Sequence, residues 1–343
     1  MNKALQYPFS APPGPGSVTT IQPGVLWVRM TLPMKLDHIN LYLLEDDAGW
    51  WIVDTGLRGE ETRANWERVF AGHLGGKPVI GMFCTHCHPD HIGQAGWLSE
   101  RWKAPLWMTH GEYYVGRVFS QTGAEGPFWE GMDFYRRAGA APEFLENIRL
   151  RMSGFSGMVE PLPRSFHRVR GGDGFVIGGS RWEAVVGHGH SPEHLCLLNR
   201  ERRLLISGDQ VIPLITSNVS VMAIEPEGDP LADWLESHRR FLELPDDVLN
   251  LAQTASSGPS RVYTPVTSGS TMRSHTCRPV RRRTKRASDS SDSSIRRGIA
   301  HSSISRVLPD NDRMGERSVG TKRRGTTPAM PSGKGNRRPL RAM

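Results

Sequence analysis

The sequence predicts an α/β layered domain over residues 1–249 followed by a basic, disordered tail over residues 250–343, and three observations carry that reading. Short apolar runs ending in turn residues alternate with amphipathic stretches through the first part, the pattern of strands and helices packed in layers. Aromatic residues are confined to the same part: all 10 Trp and all 11 Phe precede residue 250, and Tyr263 is the one aromatic after it. Charge divides likewise, with 23 Lys+Arg against 30 Asp+Glu before residue 250 and 20 against 5 from there on. A 94-residue segment with one aromatic, 25 Ser and Thr and the run Arg281-Arg282-Arg283-Thr284-Lys285-Arg286 cannot bury enough apolar surface to offset its chain entropy.

Taken in order, residues 8–23 are rich in Pro and Gly and read as a loop. Strands are expected at 25–30, 39–44 and 50–53, the last two separated by the turn-like Glu45-Asp46-Asp47-Ala48-Gly49. The third runs into Asp54-Thr55-Gly56. Residues 60–71 have helical spacing, with Trp66, Val69 and Phe70 on one side. A buried strand at 79–84 turns into Thr85-His86-Cys87-His88-Pro89-Asp90-His91-Ile92-Gly93. Residues 110–168 differ in kind: helical stretches at 128–138 and 142–152, joined by Gly-rich sequence, read as a helical insertion over the sheet. Strand patterns resume at 174–177, 181–186, 194–198 and 203–206. A last amphipathic helix is expected over 229–244, with Leu231, Trp234, Leu235, His238 and Leu242 on its apolar stripe.

No run approaches the roughly 18 apolar residues that span a bilayer, which argues against a membrane protein. Met1-Asn2-Lys3 leads into Pro- and Gly-rich sequence and not into a secretory apolar stretch. Four Cys are too sparse for a disulfide framework, and Cys84-x-x-Cys87 lacks the second pair of a zinc ribbon, so a cytoplasmic location is expected.

The chemistry concentrates in His86-Cys87-His88-Pro89-Asp90-His91, three imidazoles and a carboxylate within six residues at a strand end. In an extended segment His86 and His88 point the same way and can share one metal, while Asp90 and His91 fall on the following turn and can reach a second. Pro89 fixes φ there, and Gly93 is expected to let the backbone leave the turn without strain. A mixture of imidazole and carboxylate suits Zn²⁺, with iron or manganese as the alternatives. An isolated His is ordinarily a hydrogen-bonded structural residue, as expected for His110, His167 and His238. Four ligand types crowded at one strand end are not so explained.

His86-x-His88-x-Asp90-His91 resembles the signature of the metallo-β-lactamase-fold hydrolases, and further segments follow in the family's order. Asp54 resembles the strand-end aspartate that supports the metal loop through hydrogen bonds. Gly189-His190-Ser191-Pro192-Glu193-His194 resembles the segment carrying the third ligand of the first metal, and Ser207-Gly208-Asp209 the segment with the bridging carboxylate. The resemblance covers residues 25–245 and implies a four-layer αββα fold. It implies that His86, His88 and His190 hold a first zinc, and Asp90, His91 and Asp209 a second, with Asp209 shared. It also implies a metal-dependent hydrolase of the hydroxyacylglutathione hydrolase (glyoxalase II-like) branch, in which a metal-bound hydroxide attacks a thioester, ester or lactone carbonyl of a small acyl substrate, and it allows, without demanding, that Asp90 relays a proton to the leaving group. His194 is expected beside the pocket, and His188 is a weaker ligand candidate. Tyr113, Tyr114 and Trp129 are expected either to line the pocket or to serve as core.

The resemblance breaks near residue 250. The family's second metal takes one more His at the end of a further strand, and Asn250-Leu251-Ala252-Gln253-Thr254-Ala255-Ser256 has no His and loses the strand pattern; His275 follows in an Arg/Thr-rich setting with no strand before it. The tail is then either a genuine basic segment, binding nucleic acid or other polyanions nonspecifically through counterion release, or sequence translated out of frame. Without that His the second metal is expected to be weak. The alternatives to the hydrolase are a mononuclear iron persulfide dioxygenase, which uses the same fold, and an inactive truncated member with a polyanion-binding tail. A nuclease is disfavoured, because the net −7 of the first 249 residues shows no basic stripe.

Overall fold

The computed structural model describes residues 6–34, 36–121, 129–152, 154–213, 215–245, 247–252 and 259–261. The chain divides into units Met1–His301 and Ser302–Met343, and every described residue lies in the first. The tail reading therefore falls almost wholly outside the described residues.

Among them, one sheet takes β1 (Val18–Gln22), β2 (Val25–Thr31), β3 (His38–Asp46), β4 (Gly49–Val53), β5 (Val79–Phe83), β6 (Leu106–Met108) and β7 (His167–Arg168), in that spatial order. β1 to β4 form an antiparallel meander, and β4 to β7 run parallel. Parallel neighbours need crossovers. These are supplied by α1 (Glu60–His73) between β4 and β5, and by α2 (Pro89–Ile92) and α3 (Ala95–Trp102) between β5 and β6. The helical insertion follows as α4 (His110–Gln121), α5 (Trp129–Arg137), α6 (Pro142–Met152) and α7 (Phe155–Met158). The second sheet has the order β13 (Ser260–Arg261), β12 (Leu249–Ala252), β11 (Leu204–Gly208), β10 (His194–Asn199), β9 (Ser180–Gly187), β8 (Gly174–Ile177), with α8 (Pro230–Leu242) between β11 and β12.

Three buried clusters define the layers. Val28, Ile39, Leu41 and Ile52 of the first sheet pack against Trp66 and Val69 of α1 and Leu98 of α3. Their alternate neighbours Trp27, Tyr42, Val53 and Phe83 meet Trp182, Leu195, Leu197 and Ile206 of the second sheet. Cys196, Leu198 and Leu205 then pack against Phe241 of α8. Period-two alternation thus gives each sheet two apolar faces, and helix–sheet–sheet–helix is the arrangement that buries all of them. The four-layer αββα fold is present.

Four expectations need correction. Residues 18–22 are not loop: the run Val-Thr-Thr-Ile is β-branched and pairs with β2 despite its Pro/Gly surroundings. The expected end of the folded part at residue 249 falls at the first residue of β12, which pairs parallel with β11 through Leu251↔Ile206 and is followed by β13, so the sheet continues past the point where the sequence pattern weakens. The insertion expected up to residue 168 ends earlier, since His167 and Arg168 form β7 on the sheet edge. The apolar stripe of α8 is not its buried face: Ser237 and Phe241 are buried, while Leu231, Leu235 and Leu242 are more than half exposed. The helix lies on the loop after β9, where Ser237 Oγ accepts a hydrogen bond from His188 N (3.1 Å), a task for a small hydroxyl and not for leucine.

Candidate metal centre

Four chain segments reach one edge of the sheets, just beyond β4, β5, β9 and β11. Asp54 follows β4 with a left-handed backbone (φ 61°), a conformation that short polar residues tolerate. Its fully buried carboxylate accepts from Thr85 N (2.6 Å) and Thr85 Oγ1 (2.8 Å), and Oδ2 lies 2.8 Å from His91 Nδ1. Next to it, Thr55 O accepts from Trp66 Nε1 (2.8 Å), and Thr55 N and Oγ1 both donate to His91 O. Helix α1 thereby braces the turn that aims His91. A carboxylate facing Nδ1 keeps the proton on that nitrogen, so Nε2 carries the lone pair.

The other imidazoles are oriented by the same logic. His190 Nδ1 lies 2.9 Å from Asn218 O, which can only accept, leaving Nε2 bare. Thr85 Oγ1 donates to Asp54 and so accepts from His86 Nδ1 (3.0 Å). His86 Nε2 is then 2.8 Å from His88 Nδ1 and 3.2 Å from His190 Nε2. One proton cannot serve three nitrogens at that spacing; a cation serves all of them. His91 Nε2 and Asp209 Oδ1 are buried without any hydrogen-bond partner, and Asp209 Oδ2 sits 3.6 Å from His91 Nε2 and 3.8 Å from His190 Nε2. Buried polar atoms left unpaired in this way cost free energy unless a ligand engages them. Ligand atoms of His86, His88 and His190, and of His86, His91 and Asp209, each lie within 4.8 Å of one another, and Asp90 Oδ2 stands 3.6 Å from His91 Nε2. The cluster could hold metal, and all six ligand positions expected from the sequence meet there.

Electrostatics agree with the geometry. Burial, then the neighbouring imidazoles, holds His86 well below the usual range, and burial with His190 takes His88 to about 3. His190 and His194 are lowered too, again chiefly by burial. His91 goes the other way: burial opposes its charge, but the carboxylates of Asp90, Asp54 and Asp209 together outweigh that and raise it. Neutral imidazoles at His86, His88 and His190 are the state a divalent cation takes, and the carboxylates that raise His91 favour positive charge at the same place.

The remaining candidates sort by contact. His194 Nε2 accepts from Asp209 N (3.1 Å), so this imidazole holds the Asp209 backbone. His188 turns its Nδ1 to Pro192 O (2.7 Å) and belongs to neither ligand group. Tyr113 is core and not pocket: it is buried, donates to Pro163 O and stacks on Phe166. Tyr114 is half-exposed beside His110, and Trp129 is 73% exposed. Gly93 has an ordinary φ of −56°; it is needed because a Cβ there would come within 2.4 Å of Arg58 N. Cys84 and Cys87 are free and buried, and burial raises both thiols, so the C-x-x-C is packing and not redox chemistry.

Sequence reading missed Glu112. Its buried carboxylate accepts from Cys87 N (2.9 Å) and from Glu193 N (2.7 Å), while Glu193 returns its own carboxylate to Gly111 N (2.7 Å). The first turn of α4 therefore ties the His86–His91 loop to the His190 loop. Nothing in His110-Gly111-Glu112-Tyr113 marks the residue out, because its partners are 25 and 81 residues away. Glu112→Gln puts an amide N–H against a backbone N–H, and metal affinity is expected to fall about 10–100-fold, read by competition with a chromophoric chelator. An unchanged affinity would mean the two loops hold their own geometry.

Comparison with known proteins completes the picture. Residues 34–251 match the Metallo-beta-lactamase superfamily. The chain belongs to that superfamily. A crystal structure of a beta-lactamase domain protein from Burkholderia ambifaria is 42% identical, covering 76% of this chain and 75% of that one at a TM-score of 0.69. A metallo-beta-lactamase family protein from Thermus thermophilus is 25% identical over 71% of this chain and 77% of that one, at a TM-score of 0.60. An uncharacterized protein of Aquifex aeolicus (strain VF5) is 28% identical over 50% of this chain and 65% of its own length. The probable metallo-hydrolase YqgX of Bacillus subtilis (strain 168) is 22% identical over 66% of this chain and 88% of its length. An atrochrysone carboxyl ACP thioesterase of Aspergillus fumigatus is 24% identical over 62% of this chain and 49% of its length. No helix among the described residues is long and apolar enough to cross a membrane.

Proposed function

We propose that this superfamily member is a dinuclear zinc hydrolase acting on an activated acyl carbon, a thioester first and an ester or lactone next. The observation that carries the reading is the convergence of bare imidazole nitrogens with orphaned His91 Nε2 and Asp209 Oδ1. When bound, a metal pair supplies an acidified water and a Lewis acid for the acyl oxygen. His86, His88 and His190 would hold the first ion; Asp90, His91 and Asp209 would hold the second, with Asp209 facing both sets. Asp54 and Thr85 keep the imidazoles of His86 and His91 turned to the cluster, and His194 and Glu112 hold the loops. Asp90, the most exposed of the three acidic-site ligands at 20%, is placed to carry a proton on Oδ2 to the leaving group. The thioesterase among the relatives supports the choice of thioester.

The second ion is the weaker. β12 ends at Ala252 beside β11, and the following Gln253-Thr254-Ala255-Ser256-Ser257-Gly258, outside the described residues, offers no imidazole.

Metal quantitation on the purified chain, with chelation and separate restoration by zinc, iron or manganese, tests the proposal. Thioester hydrolysis that disappears with the metal and returns with zinc is expected. A single iron with oxygen uptake on a persulfide and no hydrolysis would replace it with the dioxygenase reading; no bound metal would end it.

A further inference from the structure

The outer face of α8 is open to solvent and has two sides. Leu231, Leu235 and Leu242 run along one of them, each more than half exposed. Asp233, Glu236 and Glu243 follow the other at helical spacing, all exposed. Among the described residues none of these three carboxylates has an ion-pair partner. Residues 225–247 hold 8 Asp+Glu against 2 Lys+Arg, a net of −6, so nearly all of the net −7 of residues 1–249 gathers on and around this helix. Of its two cations, Arg240 donates to Val186 O (2.9 Å) on the inner layer.

The opposite charge is carried by the same chain. Residues 253–288 contain 8 Lys+Arg and no Asp or Glu, and 6 of those cations fall in Arg278-Pro279-Val280-Arg281-Arg282-Arg283-Thr284-Lys285-Arg286. The last described residue, Arg261 of β13, pairs with Leu249 of β12, and the preceding Val248 packs with Phe241 of α8. The chain therefore leaves the described residues beside the C-terminal half of this helix. Seventeen residues separate Arg261 from Arg278 and span at most about 55–60 Å, against about 20 Å for the 13 residues of α8, so the basic run reaches the whole face. Arginine stems lie along apolar surface while their charged ends reach outward, which suits a leucine row edged by carboxylates. A second copy of the face fits it worse, since it would set −6 against −6. Exposed ion pairs are weak one by one, but a tether of this length presents the basic run at an effective concentration on the order of millimolar.

We propose that residues 278–286 dock on the outer face of α8 of their own chain, with the cationic groups on Asp233, Glu236 and Glu243 and the stems over Leu231, Leu235 and Leu242. The full chain, freed of nucleic acid with a nuclease, is treated with a water-soluble carbodiimide at about 0.02 M salt, and the joined peptides are identified by mass spectrometry. An amide between Lys285 Nζ and Asp233, Glu236 or Glu243 is expected. Its yield should fall at least about tenfold at about 0.5 M salt, where the Debye length shrinks from about 20 to about 4 Å. It should fall as far in Arg281→Ser/Arg282→Ser/Arg283→Ser, which keeps Lys285 and every acid. In Asp233→Asn/Glu236→Gln/Glu243→Gln, tryptic cleavage within residues 281–286 should quicken at least about tenfold, with metal content and far-UV circular dichroism retained. When equal amounts of ¹⁵N-labelled and unlabelled protein are mixed before treatment, the joined peptides should carry the same isotope. Mixed-isotope pairs as frequent as matched ones would hand the face to a second copy and overturn the proposal. Amides from Lys285 spread over acids elsewhere on the protein, or cleavage that ignores the α8 variant, would overturn it too. So would a basic run that resists trypsin only after duplex DNA is added, since its occupant would then be an outside polyanion.

Discussion

His190→Ala is expected to lower thioester kcat/KM by about 100-fold or more and to reduce the metal bound per chain, while the melting temperature of the metal-free protein changes little. The asymmetry follows from where the residue sits. Its imidazole makes one hydrogen bond outside the cluster, to Asn218 O, and none that closes a core element. The loop is shaped by the backbone instead: Gly189 has φ 92°, and a Cβ there would stand 2.3 Å from Pro230 O, so the approach of α8 and not the His190 ring sets its path. Removing the ring leaves His86 Nε2 and His88 Nδ1 facing a gap, with two of the three nitrogens needed to hold an ion. Metal analysis and turnover on the same sample decide the matter. Wild-type values for both would show that the cluster is not where the chemistry occurs.

How much of this was legible in the sequence follows from the range of each interaction. His86, His88, Asp90 and His91 lie within six residues after one strand, and period-two alternation with one turn is enough to bring them together. His190 and Asp209 were legible through resemblance, because each closes a short segment with its own turn residues. The braces were not. Trp66 holding Thr55 O and Glu112 holding Cys87 N and Glu193 N depend on helices docking on the sheet, and neither residue stands out from an ordinary amphipathic helix. The same cause explains α8, whose most apolar stripe points outward because its inner face meets a polar loop at His188 N and Gln210.

The strand after residue 249 teaches the complementary lesson. Four residues suffice for β12 because β11 already presents an unpaired parallel edge, and Asn250 is accommodated by donating its side chain to Val211 O (3.0 Å). Tyr42 OH and Asn40 Nδ2 of β3 both donate to Ala252 O, which ties this strand across to the first sheet. Residues as far as Ala252 are therefore integral to the fold.

Asp54→Asn is expected to destabilise the protein by about 2–4 kcal/mol and to weaken metal binding at the His91 side about 10–100-fold, with the His86–His88–His190 side less affected. The substitution isolates charge from backbone, since Asn tolerates the left-handed conformation at φ 61° as Asp does. One carboxylate now accepts from Thr85 N and Thr85 Oγ1 and orients His91 Nδ1, all without exposure to water. An amide has one oxygen for these three donors, so either Thr85 N or His91 Nδ1 meets an N–H. If His91 is the one released, its ring loses the partner that keeps Nε2 bare, and the orphaned atom that called for a cation is gone. Chemical denaturation of the metal-free protein measures the first effect and competitive metal titration the second. A variant with lowered stability but undiminished occupancy of both sites would reduce Asp54 to a packing element and leave the orientation of His91 to Thr55 alone.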